Sequence, residues 1–215
     1  VWRIFEKSIN LAASPLKSGA NWPILIFVKQ TEKSAGCHAA MARQIFFLRR
    51  CGRGRERAVM KILVLSDSHG NISNMLQAAE RESPRLILHL GDCWRDGERL
   101  HDRLPELPLE QVPGNCDFRG SQPTERLLFL GDMRILMCHG HTYGVKQSLM
   151  RAGLAAEEKN LDLFLFGHTH KPLVDRRGKT LFLNPGSIGD YSRPTYGVVT
   201  LENGRLDART ALLRE

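Results

Sequence analysis

The chain has 215 residues, of which 42% are hydrophobic and 25% are charged. This composition is typical of a folded globular protein and excludes a disordered or collagen-like chain. The longest apolar stretches, 22–28 and 161–166, are far shorter than the roughly 18–20 residues that a membrane-spanning helix needs. Five cysteines without regular spacing argue against a disulfide framework and favour a reducing compartment, so we expect a cytoplasmic protein.

The positive charge is distributed unevenly. The formal net charge is +8, and residues 1–59, with 11 lysines and arginines against 3 acids, account for all of it. Residues 60–215 hold 20 basic and 20 acidic residues. An excess that is confined to one end indicates a basic extension and not a basic fold.

Residues 1–59 contain the short apolar pieces 24–28 and 45–48, but no helical or alternating pattern persists through them. We interpret this segment as a basic extension, either non-native upstream sequence or a flexible segment, and residues 60–215 as one domain. Two alternatives stay open for the extension. It is a basic arm that contacts nucleic acid or anionic lipid, or it is a targeting segment.

Strands and helices alternate in the first half of the domain. Residues 61–66 form an apolar run that predicts a strand, and apolar side chains at helical spacing over 72–79 predict a helix. Further strands are predicted at 85–90 and 109–112. The segment 95–108 between them is expected to be a loop that lines a cleft.

The second half of the domain consists mostly of strands. Two hairpins are indicated by Gly131-Asp132 and Asn203-Gly204, and a helix is predicted over 146–159. The strands are predicted at 126–130, 134–138, 161–166, 180–183, 196–201 and 205–212. We therefore expect one α/β domain with a sheet core and helices outside.

Side chains with metal-binding atoms follow five of the predicted strands. They are Asp67 and His69, then Asp92, then Asn115, then His139 and His141, and finally His168 and His170. Open α/β sheets collect ligands outside the carboxyl ends of their strands. Each motif alone is a weak signal, but five in register with strand ends predict a shared cleft.

The donor set fits a centre of two metal ions. Asp and Asn offer hard oxygens and His offers nitrogen, and about seven donors are too many for one four-coordinate zinc site. Two ions close together need a bridging carboxylate. Asp92 is the candidate for the bridge because it stands alone at its strand end, after Gly91.

Five motifs carry a resemblance to a known family. In chain order they are Asp67-Ser68-His69, Gly91-Asp92, Gly114-Asn115-Cys116-Asp117, His139-Gly140-His141 and Gly167-His168-Thr169-His170. Together they resemble the calcineurin-like metallophosphoesterase superfamily, and most closely its small single-domain YfcE-like phosphodiesterases, which also share Asn184-Pro185-Gly186-Ser187. The resemblance implies a four-layer αββα sandwich of two mixed β-sheets flanked by helices.

The resemblance also implies how the ligands are divided. Asp67, His69, Asp92 and His170 would hold the first ion, and Asp92, Asn115, His139 and His168 the second. Mn²⁺ is the expected ion, with Ni²⁺, Mg²⁺, Fe²⁺, Co²⁺ and Zn²⁺ as alternatives. The implied activity is hydrolysis of phosphate esters, above all phosphodiesters, by a hydroxide that bridges the two ions.

Four residues near the ligands are given other roles. Asn115 and His141 are expected to contact the phosphate, and His141 to relay a proton, unless it is only a solvated neighbour of the ligands. Many phosphatases of the superfamily have a His after the Asn of the third motif, where this chain has Cys116. A thiol with a pKa near 8.5 is a poor acid for an alkoxide, which favours diesters with acidic leaving groups. Asp117 is expected to orient a neighbouring ligand.

The remaining cysteines and histidines receive structural interpretations. Cys93, Cys116 and Cys138 are expected to be small buried residues, and His89 to be packed behind the ligands. Cys138 should point away from His139, because neighbouring strand residues face opposite ways.

The expected partner is a small phosphodiester substrate, without nucleic acid or a membrane, and a homo-oligomer stays open. The alternative function is a metal-binding scaffold or interaction protein of Vps29 type. Vps29 resembles this family but serves for binding and lacks part of the ligand set.

Overall fold

The protein is described here by a computed structural model that covers residues 25–30, 43–47, 59–117 and 122–214. These residues form two mixed sheets. The seven-stranded sheet has the order β2 (Arg43–Phe47), β1 (Leu25–Gln30), β6 (Glu125–Leu130), β7 (Met133–Cys138), β8 (Leu163–Leu165), β10 (Thr180–Asn184) and β9 (Leu173–Arg177). The five-stranded sheet has the order β12 (Arg205–Leu212), β11 (Thr195–Glu202), β3 (Met60–Leu65), β4 (Leu86–His89) and β5 (Leu109–Gln111).

Each sheet has a parallel centre. Strands β3, β4 and β5 pair in parallel in one sheet, and β7, β8 and β10 pair in parallel in the other. Parallel strands end at the same edge of their sheet. The segments that follow β3, β4 and β5 therefore lie side by side, and so do those that follow β7 and β8.

Helices cover the outer faces of the two sheets. Helices α1 (Ile72–Glu82) and α2 (Trp94–Arg103) pack on the five-stranded sheet, and α3 (Met150–Glu158) packs on the seven-stranded sheet. Strand β3 shows how the layers form: Ile62 and Val64 face the other sheet, while Leu63 and Leu65 face α1. This period of two is what a strand buried on both sides requires. The expected αββα sandwich is confirmed.

Three elements differ from the prediction. Helix α2 occupies most of the segment that was predicted to be a loop. It is rich in charged residues, and Leu100 is its one fully buried aliphatic side chain, so it carries no apolar repeat. Helix α3 begins at Met150, after a short 3₁₀ turn at His141–Tyr143. Strand β9 was not predicted, because its charged second half does not alternate as a half-buried strand does.

Two strands lie within residues 1–59. Strand β1 pairs antiparallel with β6, with Ile26 opposite Leu130 and Gln30 opposite Arg126, and β2 pairs with β1. The apolar pieces of the segment thus form strands where no regular structure was predicted. Residues 1–24, 31–42 and 48–58 lie outside the described residues, and the assignment of 1–59 as an extension stays a prediction. No helix in the described part of the chain is long and apolar enough to cross a membrane.

Candidate metal centre

The predicted ligands meet in one cleft at the carboxyl ends of the parallel strands. Asp67 and His69 follow β3, Asp92 follows β4, Asn115 follows β5, His139 follows β7, and His168 and His170 follow β8. Both sheets therefore contribute to the cleft. The side chains form two groups that meet at Asp92.

The first group consists of Asp67, His69, Asp92 and His170. Their donor atoms all lie within 4.8 Å of one another, with Nε2 of His170 3.1 Å from Oδ1 of Asp67. The two carboxylates are buried and the two imidazoles are exposed. Ligand atoms that each lie about 2.0–2.2 Å from one ion are separated from one another by similar distances. The group therefore has the size of one coordination sphere.

The second group surrounds Nε2 of His139. Oδ1 of Asn115 lies 3.0 Å from this nitrogen, Nδ1 of His168 lies 3.2 Å from it, and Oδ1 of Asp92 lies 3.4 Å from it. The ring centroids of His139 and His168 are 5.0 Å apart. Four donors thus lie around one small volume, and Asp92 is the residue that this group shares with the first.

A backbone contact fixes the tautomer of His139. Nδ1 of His139 donates to the carbonyl of Leu90 at 2.9 Å, since a carbonyl oxygen only accepts. The neutral ring therefore turns the lone pair of Nε2 towards the other donors. Three or four acceptors facing one another at this range repel unless a positive charge lies among them, and one divalent ion can bind them all.

The pKa values of Asp92 and His139 also favour a bound cation. Burial opposes the charge of Asp92, but His139 and the N–H of Cys116, 3.0 Å from Oδ1, hold the pKa of Asp92 well below its usual range. Burial also opposes protonation of His139, yet Asp92 and Asp67 raise the pKa of His139 above its usual value. The cluster keeps the Asp92 carboxylate ionised and attracts positive charge.

Asp67 offers a direct test of whether a metal ion fits. Its Oδ2 accepts from the Ser66 hydroxyl at 2.5 Å and from the N–H of His168 at 3.1 Å. Its Oδ1 is buried and receives no aligned hydrogen bond from any described residue. A buried carboxylate oxygen without a donor is costly. An ion held by the first group would satisfy this oxygen, so the residues present fit a divalent cation.

Five of the seven predicted ligands have left-handed backbone conformations. The φ angles are 53° for Asp67, 43° for His69, 57° for Asp92, 68° for His168 and 58° for His170. Such conformations cost residues other than glycine roughly 1–3 kcal/mol each, and folds retain them chiefly at functional sites. Their concentration at these positions indicates that the tight turns after the strands are selected for ligand geometry.

Two glycines are required where the ligand loops cross. A Cβ at Gly114 would clash with Oδ1 of Asp92, and a Cβ at Gly167 would clash with the Ser66 hydroxyl and with Asp67. Each glycine stands immediately before a predicted ligand. The glycines of these two motifs therefore let neighbouring loops approach closely enough to share an ion.

Hydrogen bonds from residues outside the predicted set hold the loop of the first group. Oδ2 of Asp96, on α2, accepts from the Ser68 hydroxyl at 2.8 Å and from the N–H of Gly70 at 2.7 Å. The Ser187 hydroxyl donates to the carbonyl of Asp67 at 2.8 Å. Sequence reasoning missed Asp96, because it lies in the segment predicted to be a loop and nothing marks its contact with Ser68.

The Asn184–Ser187 motif, which resembled the subgroup but had no assigned role, also supports the centre. The Asn184 amide donates to the carbonyl of Gly167 and to the Thr169 hydroxyl, both at 2.9 Å. It therefore braces the loop that carries His168 and His170.

Asp117 binds backbone and not a ligand side chain. Its two oxygens accept from the N–H groups of Cys93, Trp94 and Gly114 at 2.7–2.9 Å. Asp117 thereby joins the loop after Asp92 to the loop that carries Asn115. This contact supports the expectation that it orients neighbouring ligands.

His141 lies beside the second group, with its ring centroid 5.5 Å from that of His139 and 6.1 Å from that of His168. It is half-buried and faces the same cleft. The structure thus brings all of the predicted site residues together.

The cysteine and histidine expectations are borne out only in part. Cys138 is buried in the cluster under α3, away from His139, as predicted. His89 is buried, its pKa is lowered to about 4 by burial, and Nε2 lies 3.2 Å from the Ser68 hydroxyl. The prediction for Cys116 is wrong: it is exposed and accepts from the Asn115 amide at 3.3 Å, because the chain has left strand β5. Cys93 is half-buried.

A two-sheet sandwich with aspartate and histidine donors at adjoining strand ends defines a metal-dependent hydrolase domain. The family model described as the calcineurin-like phosphoesterase superfamily domain matches residues 60–204. The chain belongs to this superfamily, whose members hydrolyse phosphoesters with divalent metal ions.

Individual relatives agree with this family. The chain is 39% identical to the probable metallophosphoesterase YsnB of Bacillus subtilis (strain 168) over 157 residues, which are 70% of this chain and 89% of that protein. It is 28% identical to the phosphodiesterase YfcE of Escherichia coli (strain K12), covering 60% of this chain and 80% of YfcE. A crystal structure from Streptococcus pneumoniae TIGR4, described as a predicted phosphoesterase, superposes with a TM-score of 0.61 at 28% identity, covering 73% and 91% of the two chains.

Proposed function

We propose that this protein is a binuclear metallophosphodiesterase that hydrolyses small phosphodiesters in the cleft between its two sheets. The observation that carries the proposal is the pair of donor groups that share Asp92. This carboxylate belongs to the first group and also lies 3.4 Å from Nε2 of His139 in the second. A carboxylate between two donor groups is what two neighbouring ions require.

The proposal divides the donors between two ions. Asp67, His69, Asp92 and His170 would hold one, and Asp92, Asn115, His139 and His168 the other. Mixed oxygen and nitrogen donors suit Mn²⁺, and also Ni²⁺, Mg²⁺, Fe²⁺, Co²⁺ or Zn²⁺. When bound, two such ions supply a hydroxide nucleophile near neutral pH and neutralise charge on the phosphate oxygens.

The chain's own residues hold the metal-binding side chains in position and contact the substrate. The loops around Asp67, Asp92 and His168 are braced by hydrogen bonds, so the donors are held in place before the substrate arrives. His141 lies on the cleft side of His139, where it can bind a phosphate oxygen or pass a proton to the leaving oxygen. Such prior positioning is the main contribution that a protein makes to phosphoryl transfer.

The residue after Asn115 bears on the choice of substrate. It is the exposed thiol of Cys116 and not an imidazole. A phosphodiester with an acidic leaving group needs little protonation of its leaving oxygen. We therefore place diesters before alkyl monoesters as substrates, a choice consistent with the phosphodiesterase name of the relative YfcE.

The substitution Asp92→Asn tests the proposal. It removes the charge that both donor groups share. The bound metal per chain should therefore fall well below that of the wild type, and the rate of hydrolysis of bis(4-nitrophenyl) phosphate with Mn²⁺ should fall by about 10³-fold or more. Metal analysis and initial rates on the full chain measure the two effects. Asp132→Asn, in the exposed β6–β7 turn, is the matched control and should behave as the wild type.

The same measurements separate an enzyme from a scaffold of Vps29 type. If the folded wild-type protein retains no divalent ion and is inert towards phosphodiesters with each of the six ions, the enzymatic proposal is wrong and the scaffold is favoured. Full activity in Asp92→Asn would contradict the shared role of this carboxylate.

A further inference from the structure

A large pocket on the seven-stranded sheet is lined by residues of two segments that also carry predicted site residues. It has a volume of about 710 Å³ and lies between the segment after His141 and the loop that carries His168 and His170. Its lining residue Phe166 is two positions before His168, and Thr169 stands between the two histidines. A group attached to a phosphorus atom in the centre could therefore extend into this pocket.

The pocket combines an apolar lining with two positive charges. Val145, Leu149, Phe166 and Leu173 provide the apolar surface, and Lys146 and Lys171 provide the charges. None of the described residues that line it is an aspartate or a glutamate. The two lysines come from different segments of the chain: Lys146 follows β7 and Lys171 follows β8.

The two lysines are not engaged elsewhere in the described part of the chain. Both are exposed, and neither forms a salt bridge with a described residue, whereas Lys61 and Lys179 each pair with an acid.

We propose that this pocket binds the non-reacting arm of the substrate, and that this arm carries a flat ring and a second phosphate group. The proposal rests on the phosphodiesterase function proposed above and narrows its substrate class. The ring would lie on the partly exposed apolar surface of Leu149 and Leu173, and the second phosphate between Lys146 and Lys171. A phosphorylated nucleoside has this combination of groups.

Size and charge both favour such an arm. The volume falls within the roughly 300–1,000 Å³ that is typical of sites for small molecules, and an apolar surface suits the face of a base. Lysine is a common phosphate ligand that acts as a point charge. The domain is nearly neutral, since residues 60–215 hold 20 basic and 20 acidic residues. A local pair of lysines is therefore a specific feature and not part of a broad basic surface.

The experiment compares two chromogenic diesters that differ in one phosphate. One is the 4-nitrophenyl ester of thymidine 5′-phosphate, and the other is the same ester with an additional 3′-phosphate. The full chain with Mn²⁺ should prefer the second substrate in kcat/KM by about tenfold, as two partly exposed lysine–phosphate contacts allow. The preference should decrease as the salt concentration rises.

The double substitution Lys146→Met with Lys171→Met should reduce this preference to about one. The preference is a ratio of two kcat/KM values, so an indirect effect on the centre cancels. Lys159→Met, at the end of α3 and outside the pocket, removes the same charge and should keep the preference. Both lysines of the pocket are exposed, so the double variant should fold as the wild type does.

The outcomes separate the two proposals. No hydrolysis of bis(4-nitrophenyl) phosphate by the wild type would contradict the proposed function. Hydrolysis of that ester together with equal kcat/KM for the two thymidine esters would overturn the pocket assignment alone. A preference that survives in the double variant would also overturn it, because the second phosphate would then bind elsewhere.

Discussion

The two sheets contribute different atoms to the same cleft. The five-stranded sheet supplies oxygen through Asp67, Asp92 and Asn115, with His69 as its one imidazole. The seven-stranded sheet supplies nitrogen alone, through three histidines that follow β7 and β8. Neither sheet holds a complete set for even one ion. The centre therefore depends on how the two layers are held against each other.

Two hydrogen bonds join the sheets at the predicted ligands. Nδ1 of His139 reaches across to the carbonyl of Leu90 at 2.9 Å, and the N–H of His168 donates to Asp67 at 3.1 Å. Each sheet thus orients ligands of the other. A substitution of a buried residue at this junction should therefore lower the activity more than a substitution of an exposed residue.

The largest expected effect is that of His139→Ala compared with His69→Ala. His139 is fully buried and touches three other donors, whereas His69 is exposed and water can take its place. We expect kcat/KM on bis(4-nitrophenyl) phosphate to fall about 10³-fold for His139→Ala and about tenfold for His69→Ala at saturating Mn²⁺. Steady-state kinetics with metal analysis would check this. Equal losses of kcat/KM in the two variants would show that the burial of a ligand does not determine how much it contributes to activity.

The next effect concerns an ion pair that joins the sheets away from the cleft. Arg126 on β6 donates to Glu110 on β5 at 2.5 Å, and both side chains are largely buried. Burial outweighs the attraction of Arg126 and raises the pKa of Glu110. Arg126→Met leaves this carboxylate without a partner and should lower the free energy of unfolding by about 3 kcal/mol near neutral pH.

The raised pKa of Glu110 determines how the stability defect of Arg126→Met changes with pH. A carboxyl whose pKa is raised in the folded state contributes stability below its unfolded pKa and loses that contribution as the pH rises through the folded pKa. Removing Arg126 raises the pKa of Glu110 further. The defect measured by urea unfolding should therefore shrink as the pH falls towards about 5, and adding Glu110→Gln should restore stability at neutral pH. A defect that is independent of pH would contradict the assignment to Glu110.

The sequence predicted which side chains meet in the cleft, because their signal is local. An apolar run predicts a strand, the residue types after it predict metal binding, and parallel pairing brings the strand ends together. Asp67, Asp92, His139 and His168 could all be found in this way. The parallel strands of each sheet and the side chains at their carboxyl ends were therefore predictable from short segments.

The residues that brace the ligands could not be predicted in the same way. Asp96 lies on a helix that lacks an apolar repeat, and its partner Ser68 is 28 positions away. The left-handed conformations of Asp67 and His168 have no mark in the sequence, because glycine is the usual sign of such a turn. The pairing of β1 with β6 likewise depends on contacts between distant segments.

The smallest predicted effect tests this bracing on the side of the five-stranded sheet. Asp96→Ala removes the acceptor of Ser68 and Gly70 and loosens the loop that presents Asp67 and His69. Loss of an outer partner of a metal ligand typically lowers metal affinity by about 10–100-fold. The apparent affinity for Mn²⁺ should fall by this factor, while kcat at saturating Mn²⁺ changes much less. Asp102→Ala, on the exposed side of the same helix, is the matched control. If both variants titrate alike with Mn²⁺, the loop holds its ligands without α2, and the oxygen side of the centre is more rigid than its hydrogen bonds indicate.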